Sequence, residues 1–285
     1  MIGYFQALKA FKEISLLLLI SKVIHVLIIL AATYFYGLFG FVLGLVSGYL
    51  IGVSLLLYKT DFLVGWNKTT KAHFKENWDL AKFAFSANAV NILTLYFDIF
   101  LLNHLVIDAD ELGYYGFALT LIAGLRILTT TIQQFVTPFF SEFSHDFQQS
   151  IRAFKRANKM FMLVIFGAGI CGGLILPYII QFVYGGKYDG SIPYFQLLTI
   201  VWVIRSLPSL KGPYLLATGY IKVIFYSVLL VFAISVIPYW YLVKTYGIEG
   251  ALYGQFFTAI VFFIVITISF HQTIKKISKD SKNLN

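Results

Sequence analysis

Arg126 lies near the midpoint of an apolar run at 113–138, and Thr130, Gln133, Gln134 and Thr137 follow it at i+4, i+7, i+8 and i+11. Those offsets put all five on one side of a helix with 3.6 residues per turn. Such a stripe suits a phosphate or a sugar hydroxyl, because a guanidinium stays charged and its planar fork grips two phosphate oxygens at once. A second stripe, Asn88, Asn91, Thr94 and Asp98, runs along the apolar run at 80–106, with Lys82 at one end. Asp98 can bind a proton or sodium ion that drives a transport cycle; equally, it can pair with Arg126 and lock the two helices together. Lys22 and His25, at i and i+3 in the run at 14–36, can face the same polar path, with His25 hydrogen-bonded to a backbone carbonyl as the plainer alternative. Arg205, Ser206, Ser209 and Lys211 cluster around Pro208 and Pro213. Prolines free carbonyls and bend helices, so this is either a gate or a place where two cations snorkel to leaflet phosphates. Charges within apolar runs are costly and point first to function.

The elements that must hold these residues are set by composition. The chain has 285 residues, 59% hydrophobic and 12% charged, against roughly 45–50% apolar and 25% charged in a soluble domain. A soluble enzyme is excluded. Eight runs are long enough to span hydrocarbon about 30 Å thick: 14–36, 38–58, 80–106, 113–138, 160–183, 190–211, 221–243 and 248–270. With both termini inside, nearly all Lys and Arg residues fall in inside segments, Lys187 and Lys244 fall outside, and the turn with Asp108, Asp110 and Glu111 is acidic and outside. This bias orients polytopic proteins in the cytoplasmic membrane and accounts for the net charge of +9 without nucleic acid. The first run carries Lys22 and lacks a cleavage-site pattern, so it reads as a span rather than a signal peptide. The inside segments 59–79 and 141–159 read as amphipathic stretches on the inner leaflet or as charged connectors, and the basic tail 271–285 reads as a solvated end.

Catalytic chemistry finds no support. Cys171 stands alone, the five histidines (25, 73, 104, 145 and 271) are scattered, and no phosphate-binding GxxxxGK[ST] loop is present. No metal or organic cofactor is expected.

A repeat shapes the architecture. Tyr36-Gly37-Leu38-Phe39-Gly40, followed by Gly44, matches Tyr246-Gly247-Ile248-Glu249-Gly250, followed by Gly254; Leu112-Gly113-Tyr114-Tyr115-Gly116 is a looser version. Small residues at i and i+4 permit close helix approach, and the first glycine suits a tight turn. The two matching copies stand six spans apart, which suggests a six-helix unit repeated with parallel topology. On that plan residues 80–270 are one complete unit, residues 1–58 are the last two helices of a preceding one, and 59–79 links them. The chain then looks like eight helices of a twelve-helix plan, with the first four missing.

The stretch Ala81 to Ser144 is distinctive. Tyr96-Phe97-Asp98-Ile99-Phe100-Leu101-Leu102 is followed by Asp110-Glu111-Leu112-Gly113-Tyr114-Tyr115-Gly116 and by Thr137-Pro138-Phe139-Phe140-Ser141; Gly3-Tyr4-Phe5-Gln6 to Phe11-Lys12 precedes the first span. These segments resemble the polysaccharide or oligosaccharide flippases of the multidrug/oligosaccharidyl-lipid/polysaccharide exporter superfamily. The resemblance implies an all-α polytopic membrane protein, a MATE-like transporter of two six-helix lobes around a V-shaped cavity. It implies movement of polyprenyl-diphosphate-linked oligosaccharide units across the cytoplasmic membrane for O-antigen, capsule or exopolysaccharide synthesis, driven by H+ or Na+ or by the substrate gradient, alongside membrane lipids and glycan polymerase or export partners. On this reading Arg126, Gln133, Gln134, Asn88, Asn91, Lys22 and Arg205 bind substrate, and Asp98 and His25 couple the ion. The rivals are a multidrug or cation antiporter of the same superfamily and a nonfunctional fragment; a membrane-embedded glycan polymerase is disfavoured by the short outside loops.

Overall fold

The computed structural model describes residues 11–59, 71–105, 109–143 and 146–283. Every long element is helical, as hydrocarbon demands of backbone groups that find no water to bond. Six of the described helices are long and apolar enough to cross a membrane, and large side chains such as Tyr34, Phe182 and Ile237 point outward. The chain divides into two compact units, Met1–Phe74 and Lys75–Asn285.

The first unit contains α1 (Phe11–Lys59), broken once at Gly37, where φ is 57° and ψ −137°. Its two arms fold back antiparallel. Gly40 abuts the Ala32 carbonyl, Gly44 the Ile29 backbone, Gly48 the His25 ring and Gly52 the Ser21 hydroxyl.

The second unit contains α2 (Lys71–Leu105, whose first residues precede the division), α3 (Ala109–Glu142), α4 (Phe147–Tyr184), a short 3-10 turn at Asp189–Ser191, α5 (Ile192–Ser206), α6 (Lys211–Ala217) and α7 (Ile221–Asn283). Helix α5 packs against α3, α4 and α7. Helix α2 joins through long side chains, with Phe97 edge-on to Phe232 and Tyr239 and Phe83 against Phe225 and Tyr226. At the end of the unit where α4 begins, Phe140, Phe154, Tyr214 and Phe270 form a ring cluster, and Ser150 donates to the Tyr214 hydroxyl at 2.9 Å. Asp146 caps α4 by accepting from the Gln149 N–H at 3.0 Å.

Helix α7 breaks at Gly247, with φ 58° and ψ −128°, almost the values of Gly37. This positive-φ region is open to glycine and nearly closed to residues with a Cβ. The packing of the two arms repeats as well. Gly250 abuts the Leu242 carbonyl, eight residues back, as Gly40 abuts Ala32; Gly254 lies under the Tyr239 ring, fifteen back, as Gly44 lies on Ile29. The looser copy differs: Gly113 and Gly116 are inside α3, and a Cβ on either would meet nothing within 4 Å.

Three sequence expectations change. Residues 147–159 are the first turns of α4, continuous with the apolar helix beyond, because Ser150 and Phe154 turn into the core. Residues 271–283 continue α7 as helix, anchored by buried Phe270 and Thr273. The run at 190–211 is interrupted after Ser206, where Pro208 lacks an N–H to continue the ladder, and α6 starts at Lys211. Residues 60–70, within the expected linker, lie outside the described residues.

Gly250→Ala must push apart two backbones, at a cost of about 1–3 kcal/mol, and Gly247→Ala must strain the break by about 1–2 kcal/mol. Gly113→Ala fills open space in a helix and is expected to be neutral or stabilising by about 0.5–1 kcal/mol. Thermal unfolding in detergent checks this ranking, and equal midpoints for Gly113→Ala and Gly250→Ala would contradict the close approach.

Candidate functional site

Asp98 is fully buried on α2. Its Oδ2 accepts from the Tyr115 hydroxyl of α3 at 2.6 Å and from Gln255 Nε2 of α7 at 2.8 Å. The Ile99 N–H lies 2.8 Å from Oδ1. Tyr239 stands beside this group and donates to the Ala251 carbonyl at 2.9 Å. A buried carboxylate needs its lone pairs filled, and here three helices converge to fill them. Asp98 forms no ion pair with Arg126, which stands within its electrostatic reach on α3.

Arg205, at the end of α5, does not run out to the surface. Its Nη2 donates to Asn91 Oδ1 at 3.0 Å and its guanidinium lies 5.0 Å from the Phe262 ring centroid. Its Nη1 is buried and has no acceptor among the described residues. One turn further along, Gln133 Nε2 of α3 donates to the Ser209 carbonyl at 3.0 Å, and Thr129 and Ser206 hydroxyls face each other at 3.4 Å. Thr137 bonds back to the Gln133 carbonyl at 2.6 Å.

Asn91, Thr94 and Asp98 turn into the unit, whereas Asn88 is exposed. On α3, Arg126 and Gln133 are half-buried, and Thr130 and Gln134 are exposed. Lys22 is exposed and His25 buried, both in the first unit. Lys211, read as part of a gate or as a cation reaching leaflet phosphates, is buried, with Nζ bonded to the Thr267 hydroxyl. Tyr115, Tyr239 and Gln255 escape a reading by spacing alone; the signal for Gln255 is that it is the one amide in the run at 248–270.

Residues 2–193 match the family described as "Polysaccharide biosynthesis protein". The chain belongs to that family. This polysaccharide biosynthesis protein is 28% identical over 165 residues to the teichuronic acid biosynthesis protein TuaB of Bacillus subtilis, covering 56% of this chain and 34% of that protein. It is 25% identical over 284 residues to an uncharacterized membrane protein of Methanocaldococcus jannaschii, covering 92% of this chain and 65% of that protein. A crystal structure of MATE in the bent conformation has the same fold, with a TM-score of 0.67 at 12% identity, over 93% of this chain and 62% of that chain. The chain thus spans between a third and two thirds of the length of these relatives. Family and fold together describe a multi-pass membrane protein of a polysaccharide biosynthesis family with a MATE-like fold.

Tyr115→Phe and Gln255→Leu each deprive Asp98 of a donor and are expected to destabilise the unit by about 1–3 kcal/mol. Thermal unfolding of the detergent-solubilised protein measures both. Because the donors share one oxygen, the double variant should differ from the sum of the singles by roughly 0.5 kcal/mol or more, and strict additivity would argue against a shared network.

Proposed function

We propose that this chain is part of a flippase that moves a polyprenyl-diphosphate-linked oligosaccharide across the cytoplasmic membrane during cell-surface polysaccharide synthesis. The observation that carries the reading is a pair of arginines inside apolar helices, Arg126 and Arg205. Among the described residues neither is ion-paired with a carboxylate, and a buried N–H of Arg205 finds no acceptor. A charge inside an apolar helix is costly and points first to function, and a diphosphate matches the arginine fork. Arg126 and Arg205 take the diphosphate, and Asn88, Asn91, Gln133 and Gln134 bond to sugars; within the first unit, Lys22 is a substrate-binding candidate of its own. Asp98 and His25 take part in coupling to H+ or Na+. With the breaks at Gly37 and Gly247 counted, the chain crosses eight times, two helices belonging to an N-terminal lobe and six to a C-terminal lobe, with both termini cytoplasmic under the positive-inside rule. A glycan polymerase or export protein consumes the product.

Arg126→Ala should abolish translocation of a fluorescent lipid-linked glycan in reconstituted vesicles while leaving membrane insertion intact. Arg126→Lys keeps the charge and loses the fork, so a deficit of about tenfold or more is expected, in line with loss of one charge-assisted bond of about 1.5–3 kcal/mol. Wild-type transport by both variants would remove Arg126 from the site.

A further inference from the structure

A cleft of about 980 Å³ opens in the second unit between the first turns of α4, the turn after α5 and the last turns of α7. Lys155, Lys211, Lys275, Lys276 and Lys279 line it, and among the described residues no carboxylate does. Four of these lysines are exposed at the rim. Lys211 is different: only 9% of its surface is exposed. Its ammonium has three donors, one of which reaches Thr267 Oγ1. The rings of Phe263 and Phe270 lie 5.6 and 6.0 Å away and offset part of the desolvation. Among the described residues no carboxylate pairs with it, although a buried cation ordinarily needs an anionic partner. Apolar Phe147, Ile151, Phe154 and Met162 face the same space, with Asn158, His271, Gln272 and Ser278 completing the lining.

We propose that this cleft binds the diphosphate head of a lipid, with the ammonium of Lys211 at its floor and the hydrocarbon tail along the apolar wall. Charge decides the choice of lipid. A diphosphate diester carries two negative charges against one for a common phosphodiester lipid, and it better balances five ammoniums in one concavity. The proposal rests on the flippase reading and makes the cleft a loading site, separate from the arginines, where the substrate is held at the basic end of the unit before translocation.

The test uses the full chain in phosphatidylcholine nanodiscs with undecaprenyl diphosphate as probe, read by native mass spectrometry. Lys211→Met, and separately Lys275→Gln with Lys276→Gln at the exposed rim, should weaken binding about tenfold or more. Lys211→Arg should retain it, and added phosphatidylglycerol should fail to compete. Unchanged binding in the rim double variant and in a folded Lys211→Met, or equal competition by phosphatidylglycerol, would overturn the proposal. A transport assay separates this site from the wider reading. Lysine-dependent binding without transport by the wild type leaves the cleft standing and removes the flippase, whereas transport unaffected by lysine variants that no longer bind the probe removes the cleft from the path.

Discussion

The second unit is organised by the need to satisfy one carboxylate with no access to water. Asp98 takes donors from Tyr115 and Gln255, so α2, α3 and α7 must meet at a single depth. The cost of leaving a charged or polar oxygen unbonded in such surroundings is several kcal/mol, more than most single apolar contacts supply. Helix α2 depends on this, since it joins its neighbours through long side chains. The glycine break serves the same end. Gly250 and Gly254 let the second arm of α7 lie against Leu242 and Tyr239, Tyr239 bonds to Ala251 across the contact, and Gln255, one residue beyond Gly254, is thereby delivered to Asp98.

The two glycine hairpins begin alike and then diverge in an informative way. In the first unit the small-residue stripe continues through Gly48 and Gly52, which take the His25 ring and the Ser21 side chain at contact distance. Counting the same steps from Gly247 gives Thr258 and Phe262, opposite Ser235 and Val231. Thr258 and Ser235 are buried polar residues, and Phe262 carries the Arg205 guanidinium on its face. The shared part of the motif therefore sets backbone geometry, and the part that changed is where the second unit holds its polar groups and a cation.

What the sequence makes legible follows the range of the interactions involved. Apolar runs and glycine breaks are local properties, so the helices and the turns at Gly37 and Gly247 can be read from spacing. The Asn91, Thr94 and Asp98 face can be read for the same reason. Partners cannot: Asp98 and Arg126 look like an ion pair on complementary stripes, yet Tyr115 and Gln255 take the carboxylate, and Arg205 takes Asn91 from a helix 114 residues away. The ends of the helices are not legible either, because charge density at 147–159 and 271–283 suggests a surface, while a few buried residues on one face, Ser150, Phe154 and Thr273, suffice to keep each segment in register with the apolar helix next to it. Lys211 belongs to the same class of difficulty, since a lysine beside prolines at a helix end gives no sign of which way its stem turns.

The two arginines inside the apolar helices and the exposed lysines of the cleft meet different surroundings, and the difference suits their chemistry. A guanidinium is weakly hydrated and spreads its charge over several donors, so it tolerates an apolar surround provided that acceptors and rings are at hand, as Asn91 and Phe262 are for Arg205. An ammonium is strongly hydrated, and four of the five cleft lysines are exposed. Arg126 and Arg205 also stand in each other's field. Even with Asp98 ionised, two guanidiniums leave this interior with net positive charge, and the donors already on Asp98 prevent it from moving to either arginine without stranding Tyr115 and Gln255. Repulsion between like charges is strongest where water is excluded. On the flippase reading proposed above, an arriving dianion relieves that repulsion and accepts from the Arg205 N–H that finds no acceptor among the described residues.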